Sequence, residues 1–142
     1  MTSSLGPPFD FGDGGPGGWT ILYEPELHLF GKREPLVPDL AGWRRDRLTE
    51  LPDTAYFELA PDWVCEVLSP GTASHDRIKK MPRYAKAGIG HAWLVDPDAR
   101  SLEIYRREMD SWLYVAGFEG DAKVRAEPFD AIDFDLSRLW RL

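Results

Sequence analysis

Residues 62–70 read DWVCEVLSP, and between Trp63 and Leu68 only Glu66 is not apolar. A short, nearly unbroken hydrophobic run followed by the turn residues Ser69, Pro70, Gly71 and Thr72 predicts a central β-strand covered on both faces. Downstream, residues 74–87 carry helical spacing, with Ile78, Met81, Pro82 and Ala85 at i, i+3, i+4 and i+7. Pro82 inside that pattern predicts a kink or a fresh helix start, and Gly88-Ile89-Gly90 supplies the stop. HAWLVDP (91–97) reads as the next strand, ending in a turn at Pro97-Asp98. Residues 101–106 and 112–118 alternate in polarity and predict an antiparallel hairpin joined through Met109-Asp110. Upstream, WTILY (19–23) is a short apolar strand, and ELHLF (26–30) has the period-2 pattern of a half-buried one. After a turn at Gly31-Lys32, LVPDLAGW (36–43) reads as the returning strand, whereas 44–60 is charged and irregular. A short strand near 122–126 and a helical turn at 136–141 close the chain. Strands, one central helix and further strands make this an α/β (α+β) chain with a mixed sheet.

The 142 residues leave room for one domain. Residues 1–18, MTSSLGPPFDFGDGGPGG, are too rich in Gly, Pro and Ser for a regular element, so they predict a flexible arm ahead of a single domain at 19–142. A single cysteine, Cys65, excludes an intrachain disulfide and any multi-cysteine metal site. No apolar run approaches the ~18 residues that span a bilayer, and no signal-peptide pattern opens the chain, so the expected compartment is the cytoplasm. Lys and Arg total 17 against 24 Asp and Glu, a net charge of −7. Proteins that rely on neutralising phosphates carry a basic surplus, so any nucleic-acid contact here must come from a local patch or from metal ions. Arg44, Arg45 and Arg47 form one such cluster, and Lys79, Lys80, Arg83 and Lys86 another.

Two acids stand where folding alone would not put them. Asp39 follows Pro38 in an otherwise apolar strand, and Glu66 lies within the most hydrophobic strand of the chain. Acids are rarely buried unless paired or bound to metal. Two carboxylates on adjacent strands offer hard oxygens to Mg²⁺ or Mn²⁺. Such an ion polarises a phosphoryl oxygen and acidifies a bound water, the chemistry of phosphodiester hydrolysis. The structural alternative is a turn acid at Asp39 and a strand-end salt bridge at Glu66. Glu26 and His28 share one side of their predicted strand, and Glu26 is a candidate third carboxylate, though a surface pair is the simpler reading. His75 and His91 lack metal-ligand spacing. Cys65 faces away from Glu66 as a small buried hydrophobe. Ser69 and Ser74 read as turn and cap residues. GDGGPGG lacks the Gly-Lys-Ser/Thr ending of a phosphate loop.

Pro38-Asp39-Leu40, Glu66-Val67-Leu68-Ser69-Pro70, the Lys80…Tyr84 helix and Trp93-Leu94-Val95-Asp96-Pro97, in that order, resemble the Uma-type restriction-endonuclease-like family of the PD-(D/E)xK nuclease superfamily. The resemblance spans roughly residues 19 to 141. It implies a restriction-endonuclease-like mixed sheet flanked by helices, Asp39 and Glu66 as metal ligands, and DNA as the substrate of a metal-dependent endonuclease. The usual third position, two residues after Glu66, is Leu68. The family pattern instead places its lysine four residues before a tyrosine, which selects Lys80 ahead of Tyr84, with Lys79 in reserve. Asp76, Lys80 and Tyr84 form one i, i+4, i+8 stripe. In a straight helix that stripe lies away from the Ile78/Met81/Ala85 face, so a kink at Pro82 or a place at the sheet edge is needed to bring Lys80 to the site. Members of the family carry a further N-terminal helix and strand, which the Gly/Pro arm replaces here. The alternative function is therefore a catalytically silent nuclease-fold module acting as a homo-oligomer or accessory subunit.

Overall fold

The computed structural model describes residues 18–130 and 133–141. Its main sheet has six strands in the order β1 to β6: β1 Trp19–Tyr23, β2 Leu40–Arg44, β3 Trp63–Val67, β4 His91–Asp96, β5 Ser101–Glu108 and β6 Ser111–Glu119. The β3–β4 pair is parallel and every other pair is antiparallel. A parallel pair needs a crossover, and residues 68–90 supply it with the helical segment between β3 and β4. This is a mixed α+β sheet, as the sequence predicts, with the DWVCEVLSP strand at its centre. A small second pair joins β7 Lys123–Val124 to β8 Phe134–Asp135, and a 3₁₀ helix spans Leu136–Arg141. Residues 1–17 of the expected arm lie outside the described residues.

Period-2 alternation divides the apolar side chains of β3 between two cores. Trp63 and Cys65 enter a layer with Trp93, Phe129, Leu136 and Leu139, whereas Val64 and, beyond the strand end, Leu68 join Met81, Tyr84, Ile89 and Leu94 under the helical segment. Cys65 is buried on the face opposite the helix, as expected.

The expected strand at 26–30 does not form. Leu27 makes only isolated bridges, antiparallel to Leu36 and parallel to Phe57. Its alternation reflects Leu27 pinned between two loop segments. Likewise, the strand expected at 36–43 begins only at Leu40, because the chain before it is engaged in the Leu27–Leu36 bridge.

The helical segment departs most from expectation. It runs as α1 Ala73–His75, a π turn at Asp76–Lys80 and α2 Met81–Lys86. The Met81 N–H bonds to the Asp76 carbonyl five residues back. Pro82 then opens α2, where its missing N–H is harmless. A π turn absorbs one residue more than an α turn. With one residue absorbed, Asp76, Lys80, Met81, Tyr84 and Ala85 fall at effective offsets of 0, 3, 4, 7 and 8, a single helical face. Asp76, Met81, Tyr84 and Ala85 are buried, whereas Ile78, expected in the core, is 65% exposed. Ser74 lies within α1, and Thr72, not Ser74, occupies the cap position. Gly88 stops the segment in the left-handed region at φ 86°, with its N–H on the Ala85 carbonyl.

Candidate active site

In the β2–β3 ladder Leu40 lies opposite Cys65 and Ala41 opposite Val64. One step further in that antiparallel register, Asp39 comes level with Glu66 on the helix-bearing face. The Val67 N–H donates to Asp39 Oδ2 at 2.6 Å, which fixes the carboxylate against the end of β3. With Tyr23, Leu40 and Val67, Asp39 lines a cavity of about 200 Å³.

Glu66 is 2% exposed. Lys80 Nζ donates to its Oε1 at 3.2 Å and its Oε2 at 3.0 Å, and the Tyr84 hydroxyl donates to Oε2 at 2.5 Å. The same ammonium donates to the Val37 carbonyl at 3.0 Å and lies 3.7 Å from Asp76 Oδ1. Asp76 is itself buried. Burial pushes the Glu66 carboxyl up to about 7; the Tyr84 hydrogen bond and the Lys80 charge pull the other way and lose. Burial also raises Asp76 against the pull of Lys80, with the Asp39 charge adding to the rise. The Tyr84 hydroxyl is held well above its usual range by burial and by the Glu66 charge.

The structure thus brings Lys80 directly onto Glu66, and the π turn resolves the phase conflict that the sequence poses. Lys79, the reserve, is exposed. Asp76 and Tyr84 are the polar partners that sequence reasoning did not assign to the site. Their signal is the i, i+4, i+8 stripe with Lys80, which in a straight helix lies away from the Ile78/Met81/Ala85 face. Glu26 pairs with His28 at 2.5 Å, and His28 stacks on Tyr56 with ring centroids 4.0 Å apart. His91 bonds Glu127 at 2.7 Å. Much of the expected basic patch is committed elsewhere: Arg47 to Asp62, Arg83 to Glu34 and Arg44 over the Trp19 ring. Arg45, Lys79 and Lys86 remain on the surface.

Among the described residues no three His, Cys, Asp or Glu side chains form a ready-made cation cage. The donor chemistry of Asp39, Glu66 and Asp76 nevertheless suits a hard divalent ion. Burial pushes two of these three carboxyls toward protonation, a cost that a bound cation would relieve.

The chain belongs to the Uma2 family, described as "putative restriction endonuclease", whose family model matches residues 15–137. Among solved structures it is similar to that of a "putative nuclease" belonging to DUF820 from Anabaena variabilis ATCC 29413. That likeness has a TM-score of 0.68 and 24% identity, covering 88% of this chain and 70% of the other. At this identity the likeness is one of fold, and it marks the six-stranded mixed sheet as restriction-endonuclease-like. No curated protein matches the chain. Among the described residues no helix is long and apolar enough to cross a membrane.

Proposed function

We propose that this chain is a metal-dependent endonuclease that hydrolyses DNA phosphodiester bonds, with Asp39 and Glu66 as ligands of Mg²⁺ or Mn²⁺ and Lys80 as the catalytic lysine. The observation that carries this reading is the Lys80–Glu66 contact at 3.0 Å, made from a helix onto a buried strand acid. Folding stability alone gives little reason to bury a charged pair, whereas a nuclease site needs an acid and a lysine side by side. When bound, the ion would polarise the phosphoryl oxygen and acidify the attacking water. The residues supply the rest. Val67 N–H and the Tyr84 hydroxyl orient the two carboxylates, and the Lys80 ammonium positions the water or stabilises charge developing on the phosphate. Arg45, Lys79 and Lys86, exposed members of the two basic clusters, are available to DNA phosphates.

One observation favours a second reading. Both oxygens of Glu66 are already taken by Lys80 and Tyr84, as they would be in a silent module that keeps the network for structure and acts as a homo-oligomer. Incubation of supercoiled plasmid with Mg²⁺ or Mn²⁺ separates the two. Wild-type nicking that EDTA abolishes, and that Asp39→Ala and Glu66→Ala both lack, is the expected result. A folded wild type that leaves the plasmid intact with either ion, and sediments as a dimer, establishes the silent module instead.

A further inference from the structure

We propose that the Lys80 ammonium and a divalent cation compete for the Glu66 carboxylate, so that cation binding and the Lys80–Glu66 contact exclude one another. This deepens the proposed function and rests on its assignment of Glu66 as a metal ligand. Four oxygens surround Nζ: Val37 O at 3.0 Å, Glu66 Oε1 at 3.2 Å, Glu66 Oε2 at 3.0 Å and Asp76 Oδ1 at 3.7 Å. They come from three separate parts of the chain: the approach to β2, strand β3 and the π turn. A shell of carboxylate and carbonyl oxygens around one compact charge is also the donor set of a hard metal ion. An ammonium has three hydrogens to share, so four oxygens are more than it can satisfy singly.

The two carboxylates cannot easily leave, with side chains 2% and 5% exposed, whereas the Lys80 side chain is 18% exposed and carries the flexible stem. Lys80 therefore acts as a built-in counter-ion. It keeps Glu66 and Asp76 from facing each other uncompensated while no metal is present. On cation entry it is displaced, free to serve as the catalytic lysine.

The test measures Mn²⁺ binding, by the electron paramagnetic resonance signal of free Mn²⁺, to wild type, Lys80→Met and the Lys80→Met/Glu66→Gln double variant. Lys80→Met keeps the stem and removes the charge, and is expected to bind Mn²⁺ at least tenfold more tightly than wild type. The double variant is expected to lose the gain. Equal or weaker binding by Lys80→Met, with wild-type binding intact, overturns the displacement and leaves the metal-ligand reading standing. Binding by the double variant as tight as by Lys80→Met, or no binding by wild type and Lys80→Met alike, overturns both.

Should Lys80→Met fail to fold, wild type answers the question. After reductive ¹³C-methylation, a Mg²⁺ titration should move the Lys80 resonance, assigned with Lys80→Arg, and leave Lys32 and Lys123 in place. A Lys80 resonance unmoved at saturating Mg²⁺ overturns the proposal.

Discussion

Glu66 is an acid in the interior of an apolar strand, tolerated because Lys80 and Tyr84 meet both its oxygens. Tyr84→Phe removes one donor and leaves the ring in place. It is expected to destabilise the fold by about 1.5–3 kcal/mol, the range for hydrogen bonds to charged groups, measured by urea unfolding at pH 8. The raised Glu66 value has a definite sign. The folded state holds the proton more tightly than the unfolded chain, so the stability Glu66 contributes is present below about pH 4.5. That contribution is lost as pH rises to about 7 and is constant above. The span corresponds to about 3 kcal/mol. Asp76, also raised, acts in the same direction. Wild type should therefore unfold at lower urea at pH 8 than at pH 5, and Glu66→Gln should remove most of that difference. An undiminished difference in the variant would place the titration elsewhere.

At the scale of the element, the π turn decides which side of the helical segment meets the sheet. Regular α spacing makes Ile78 a core residue, yet it is exposed, whereas Met81 is 6% exposed and its carbonyl accepts the Trp112 indole N–H at 2.8 Å. Ile78→Ala should thus change stability by less than about 0.5 kcal/mol, as at ordinary surface positions. Met81→Ala should cost about 2–5 kcal/mol through the cavity it leaves. Thermal or urea unfolding of the two variants side by side checks the phase: a large loss for Ile78→Ala would mean the segment is regular α-helix.

Across the whole molecule, two apolar layers sandwich the sheet, and the chain after β6 closes the layer opposite the helix. Phe129 packs edge-on to Trp63 and Trp93, with ring centroids at 5.0 and 5.6 Å, and lies 4.8 Å from Trp19. That closure is fastened by Glu127, which accepts from Arg106 through both oxygens, at 2.8 and 3.0 Å, and pairs with His91 at 2.7 Å. These partners hold its carboxyl down at about 2, so the clip persists through the pH range in which Glu66 titrates. Glu127→Ala should lower Tm by about 3–5 °C, the response of a chain this size to ~1 kcal/mol. It should also speed amide exchange at the start of β4. An unchanged Tm would mean that ring packing alone secures the closure.

The sequence by itself determined the mixed α+β sheet and the central position of β3, because strand patterning and turn residues act over a few neighbours; the pairing of Asp39 with Glu66 is a register between two strands, which the tertiary structure sets. Cys65 and Glu66 were placed on opposite faces by period 2 alone. Tertiary structure decided the rest. The ELHLF alternation carries no record of which strand, if any, lies beside it, and here Leu27 is captured by loops. Residues 74–87 fit an α-helix in spacing, but packing against the sheet selected a π turn. Only that extra residue turns Asp76, Lys80 and Tyr84 inward together. Their meeting with Glu66 depends on contacts 14 and 18 residues apart in the chain, and no local pattern encodes a helix's rotation about its own axis. That rotation is set by which face buries the most apolar surface once Met81, Tyr84 and Ala85 have a sheet to pack on.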